Sequence, residues 1–328
     1  MEQKKNFLQH TVQDNTLLPI EREMLESIKR KVEADIGSKI LKYEKHLTHP
    51  LYDAYVFSSN EKPFYLKVSL SPFVPNFWKE ICENNFDFHP KVVSYKLGED
   101  FDFICYEIPK GIFGSDISKH ILHPNLGLEK IFAQSIKKLH ESNYSNTDST
   151  IEIFDSFLPI ESGMINSTFP VAQLFYLCKN LFKQIYKSSL EDCGICHFDL
   201  NPENLILTKN EFKFVNFEYA ANANIYIDIW LTKELLNCSE EVFQNFVFHY
   251  GIDNTKLLAQ KESADLFIFS YFNSKIISEY MTFGVANHIK LRTYINKSDE
   301  FYQKLKNKLF LHETLDKSIQ DFYLLWRS

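Results

Sequence analysis

The sequence predicts an α+β fold, with a small antiparallel sheet in the N-terminal third and helices over most of the remainder. Three observations carry this expectation. Between Ile40 and Val68 the residues come in short, alternating runs separated by turn residues, the period of half-buried strands, and two more short strands follow, the second ending at Glu107. Pro109-Lys110-Gly111 then breaks the pattern. Beyond it, apolar residues recur at spacings of three and four, as in Leu128, Ile131, Phe132, Ile136 and Leu139. The change of period places a domain boundary there, giving residues 1–109 and 110–328.

In chain order, Ile20 to Val32 reads as a helix, with charges spaced between Met24, Leu25 and Ile28. Tyr52 to Ser58 and Phe64 to Ser69 read as two strands of a hairpin closed by Ser59-Asn60-Glu61-Lys62-Pro63. In the second of these Leu66 and Val68 face one side, Tyr65, Lys67 and Ser69 the other. A short helix is expected over Asn76 to Asn85, then strands over Val92 to Tyr95 and Phe103 to Glu107. After Pro170 a longer helix carries Val171, Leu174, Phe175, Cys178, Leu181, Phe182 and Ile185 on one face, and from Ile225 helices continue with breaks near Gly251 and Gly284.

Composition excludes several functions. With 45% hydrophobic and 24% charged residues the 328-residue chain is globular. Its formal charge of -7 and scattered lysines argue against a nucleic-acid partner. No apolar run approaches a membrane span, and Met1 to Thr16 lacks the layout of a signal peptide, so a cytoplasmic location is expected. Cys193 and Cys196 form a lone C-x-x-C with no second pair to close a zinc site, and the six cysteines read as reduced thiols.

Chemistry concentrates in His197-Phe198-Asp199-Leu200-Asn201-Pro202-Glu203-Asn204, followed by Phe214-Val215-Asn216-Phe217-Glu218-Tyr219-Ala220. Each is a polar cluster beside a short apolar run, which suggests a loop feeding a strand. Phosphoryl transfer needs positioned charge and a correctly aimed hydroxyl rather than covalent help. Asp199 can receive the acceptor's proton. Asn204 and Asn216 can offer oxygen ligands to Mg2+, which prefers hard oxygens and retains several waters.

These two segments resemble the aminoglycoside phosphotransferase and choline/ethanolamine kinase group, in its H-x-D-x-x-x-x-N loop and the end of its D-F-E-Y-A stretch, with Asp228-Ile229 matching a following D-I pair. The resemblance implies a two-lobed protein-kinase-like fold that uses ATP and Mg2+. It implies that Lys67 holds the nucleotide's phosphates, with Glu80, or alternatively Glu83, as its helix partner. Glu107-Ile108 would form the hinge that meets adenine, and His197 and Asp228 would brace the loop. On the residues alone, Lys67 reads equally as an exposed strand lysine, and His140 as a packed histidine.

Two departures stand out. Asn216 occupies the place of a metal-binding aspartate, for which Glu218 could compensate. The nucleotide loop, Thr48-His49-Pro50-Leu51-Tyr52-Asp53, contains no glycine. Two functions are therefore expected to compete. One is a kinase for a small hydroxylated acceptor, a cationic amino-alcohol such as choline foremost, with Trp230, Tyr271, Tyr280, Tyr323 and Trp326 as candidate aromatic faces for the cation. The other is a catalytically silent pseudokinase acting as a binding or regulatory protein.

Overall fold

Alternation in the N-terminal third folds as five antiparallel strands: β1 (Lys42–His49), β2 (Tyr52–Ser58), β3 (Pro63–Ser69), β4 (Val92–Lys96) and β5 (Asp102–Glu107), in sheet order β1-β2-β3-β5-β4. The structure, a computed structural model, describes residues 19–49, 52–59, 62–69, 77–98, 101–114, 117, 128–142, 148–156, 170–187, 189–283, 288–309, 316–321 and 323. The chain forms two compact units. The first comprises Met1–Lys138 with Asp199–Ala220, the second Leu139–Phe198 with Ala221–Ser328.

In the first unit, helix α1 (Pro19–Ile36) lays Leu25, Ile28 and Val32, one turn apart, against Tyr55, Phe57, Leu66, Val68 and Phe103 of the sheet. Helix α2 (Phe77–Asn84) buries Phe77, Trp78, Ile81 and Cys82. Downstream, β6 (Ile112–Phe113) pairs with β8 (Leu205–Leu207), which pairs with β9 (Phe212–Phe214). The stretch expected as the nucleotide loop is mostly strand. Thr48 and His49 end β1 and pair with Asp53 and Tyr52 of β2, while Pro50 and Leu51 lie outside the described residues.

Helix α3 (Leu128–Glu141) leads into the second unit, which holds α4 (Thr150–Ser156), α5 (Pro170–Ile185), the hairpin of β7 (Cys193–Cys196) and β10 (Ala221–Asn224), and α6 (Ile225–Leu235). There follow α7 (Glu240–Tyr250), α8 (Asn254–Ala259), α9 (Lys261–Phe283) and α10 (His288–Leu305). Leu266, Phe267, Ile268, Phe269, Ser270, Tyr271 and Phe272 are all buried in succession, so the middle of α9 is enclosed on every side. Gly251 ends α7 in the left-handed region at φ 80°, a backbone shape that needs no Cβ. The break expected near Gly284 lies outside the described residues.

Candidate functional site

Chemistry begins where β7 runs out. His197 and Phe198 donate their backbone N–H groups to the Asp228 carboxylate at 3.0 and 2.9 Å. The same carboxylate meets His140 Nε2 at 3.1 Å, and His140 Nδ1 reaches the Tyr250 hydroxyl at 2.8 Å. Asp228 and both histidines are buried, so this network fixes the backbone that leads into Asp199. Phe198 sits at φ 56°, an unfavourable shape for a bulky residue, and its amide bond to Asp228 helps hold it there. Cys196 joins His140 and Asp228 within 4.8 Å. Its thiol already donates to the Ala223 carbonyl, and the other two are engaged with each other, so the trio reads as a hydrogen-bonded brace.

The four expected catalytic and metal residues, Asp199, Asn204, Asn216 and Glu218, all lie in the first unit together with Lys67. Asn204 donates through Nδ2 to the Asp199 backbone oxygen at 2.6 Å and to Asp199 Oδ2 at 3.1 Å. Asn201 donates to the other carboxylate oxygen, Oδ1, at 3.0 Å. Both Asp199 oxygens are thereby oriented. Asn201 was not singled out from the sequence. Its signal is the Asn-Pro step, since its own oxygen accepts from Glu203 N and caps the single 3₁₀ turn of Pro202–Asn204. On the second loop, Asn216 donates Nδ2 to Asn204 Oδ1 at 2.7 Å.

Asn216 takes φ 63°, which Asn tolerates better than most side chains. Its neighbour Phe217 is fully buried among the rings of Phe77, Trp78, Phe88 and His89, with centroids 5.5 to 6.1 Å away. That aromatic wedge sets the position of the polar residues on either side of it. Glu218 forms an ion pair with Lys67.

Lys67 is 1% exposed, although alternation alone made an exposed strand lysine equally plausible. The end of β3 is covered on both faces, and Trp78 places its ring 5.5 Å from the ammonium. Burial pushes the Lys67 pKa well down, and the Asp199 carboxylate opposes that shift. The carboxylate at Lys67 is that of Glu218. Glu80, the partner expected on α2, instead accepts from Asn84 Nδ2 at 2.8 Å on its own helix, and Glu83 pairs with Lys79 at 3.8 Å. A helix one turn from its neighbour satisfies Glu80 locally, whereas Glu218 is carried to Lys67 by the buried Phe217.

At the expected hinge, Glu107 N–H donates to Lys91 O and Ile108 N–H to Pro63 O, both at 3.0 Å. Pro63 has no N–H to return a bond to Ile108, and Pro109 has none at all. The Glu107 carboxylate pairs with Lys62 at 3.3 Å.

Three of the aromatic residues considered for a cation are core. Trp230, Tyr271 and Tyr323 are all buried. Trp230 donates to the Leu257 carbonyl, and the Lys261 ammonium already lies 4.5 Å from its ring. Tyr323 shares its hydroxyl with Ser298. The Tyr280 side chain and Trp326 lie outside the described residues.

Set against a divalent cation, Asp199 and Glu218 supply the hard carboxylate oxygens that Mg2+ prefers. Asn204 and Asn216 are turned toward each other, one oxygen against one amide. In that bond the Asn204 oxygen is engaged by the Asn216 amide nitrogen, while the Asn216 oxygen takes no part in it.

No family model matches the sequence. Over 200 residues, 58% of this chain and 80% of the relative, it is 26% identical to a protein LicA homolog of Mycoplasma capricolum. The choline kinase of Cryptosporidium parvum Iowa II superposes with a TM-score of 0.59 at 13% identity, covering 94% of this chain and 100% of that one. Aminoglycoside phosphotransferase APH(4)-Ia gives a TM-score of 0.58 at 10% identity, over 85% and 98%. The chain thus has the protein-kinase-like α+β fold of the choline/ethanolamine kinases and aminoglycoside phosphotransferases. Among the described residues no helix is long and apolar enough to cross a membrane.

Proposed function

We propose that the chain is an ATP-dependent phosphotransferase acting on a hydroxyl of a small molecule, with a choline-like amino-alcohol as the leading acceptor. The observation that carries this reading is the hydrogen-bonded set Asp199–Asn204–Asn216, in the same unit as the buried Lys67–Glu218 pair. Asp199 is held by Asn201 and Asn204 so that its carboxylate can take the proton of an approaching alcohol. Lys67 supplies a dehydrated positive charge for the phosphates, which interacts more strongly than an exposed one would. Mg2+ would neutralise phosphate charge as it develops in the transition state, with Glu218 as the carboxylate suited to hold it. Support for the amino-alcohol comes from the likeness to the LicA homolog and to a choline kinase, and the acidic balance of the chain is compatible with a cation. A phosphate-transfer screen over amino-alcohols, aminoglycosides and sugars tests the acceptor class. In it, Asp199→Ala should lower turnover by about 10³-fold or more while nucleotide binding persists. Equal turnover in the two proteins would place the base elsewhere.

A second reading, the silent pseudokinase, is favoured by the bond from Asn216 to Asn204, which engages the Asn204 oxygen, an expected ligand atom, with a neutral amide. A nucleotide-dependent rise in melting temperature without transfer to any acceptor would support it.

A further inference from the structure

The orientation of Asn216 is dictated by Asp199, one residue removed along a chain of hydrogen bonds. Asn204 faces two acceptors, the Asp199 backbone oxygen and Oδ2, so the atom directed at them must be its NH₂. Its carbonyl oxygen is then the atom facing Asn216, and Asn216 must answer with its own NH₂, at 2.7 Å. The amide of Asn216 also sits comfortably at φ 63°. A carboxylate in this place would bring acceptor against acceptor at hydrogen-bonding distance, an arrangement that a proton or a bridging cation must relieve. Phosphoryl-transfer sites with a carboxylate on this loop and an amide on the other hold two magnesium ions between them and the phosphates.

Resting on the nucleotide-binding reading above, we infer that the Asn204–Asn216 amide bridge replaces one of those two cations, so that the nucleotide complex of this chain carries a single divalent ion. The two loops are joined by a neutral hydrogen bond that needs no metal. Asn216 is on this view a determinant of metal stoichiometry. It lowers the charge that must be neutralised in the site by one unit and removes the position where a second ion would be shared.

The test counts ions rather than turnover. The full chain is titrated with Mn2+ in the presence of a saturating non-hydrolysable ATP analogue, and bound Mn2+ is read by electron paramagnetic resonance. Wild type should hold one Mn2+ per bound nucleotide, and Asn216→Asp should double that to two. Two ions in the wild type would overturn the metal count while leaving nucleotide binding intact. One ion in both proteins would equally overturn the role of Asn216. Nucleotide that fails to bind wild type at any Mn2+ concentration would remove the nucleotide reading itself, and the bridge's function with it.

Discussion

Lys67 and Asn216 show how much a single side chain's surroundings decide. Lys67 lies on β3 among residues that alternate, and nothing local separates it from a solvated strand lysine. Its burial comes from Trp78 on the next element, α2, and from Glu218, which is distant in sequence. Replacing it alone with an apolar chain, Lys67→Met, leaves the Glu218 carboxylate without its partner and should lower the melting temperature by several degrees. Nucleotide affinity should fall by about 10- to 100-fold, the worth of a charge-assisted contact. Calorimetric titration beside a thermal melt separates the two effects, and unchanged affinity would mean that Lys67 is purely structural. Asn201 makes the complementary point. Its cap of the turn is legible in the Asn-Pro step, but its grip on Asp199 depends on how that turn folds back.

At the scale of elements, β7 and α6 cooperate through Asp228. The strand ends in two residues whose N–H groups have left the ladder, and the first turn of α6 supplies the acceptor for both. Gly194 allows β7 to approach α3 closely, because a Cβ there would overlap the His140 carbonyl. Asp228→Ala would orphan two buried amides and loosen the left-handed Phe198, at a cost of about 3 kcal/mol or more. Urea denaturation should show a lower midpoint with an unchanged slope. A midpoint equal to wild type would show that Phe198 holds its shape unaided. The strands and helices themselves were largely legible, since alternation between Ile40 and Val68 and the three-four spacing from Leu128 are local properties. The partner of Lys67 was not, because choosing among Glu80, Glu83 and Glu218 requires knowing which loop a buried phenylalanine anchors.

Over the whole molecule, burial rather than bonding governs the six cysteines, all of which are free thiols. Burial raises the pKa values of Cys82, Cys193 and Cys238 from an ordinary 9.0 to about 12, and those of Cys105, Cys178 and Cys196 as well. A raised folded-state value means that the unfolded chain loses its thiol protons first. Stability from this source is therefore complete below pH 9 and declines as the pH climbs toward 12. Because the thiolate is the nucleophile, alkylation of the native chain near pH 8 should be slow at every cysteine and complete only in denaturant. Rapid labelling of one cysteine in the native state, read by mass spectrometry, would show a locally opened site.

By itself the sequence determined the order of strands and helices and singled out the two polar loops, because period and motif spacing are written in contiguous residues. Only the tertiary structure decided that Glu218 meets Lys67, that Asn216 closes on Asn204, and that Trp230 and Tyr271 are core. Each of these depends on which distant segments share a buried volume, and no local pattern of the chain encodes that.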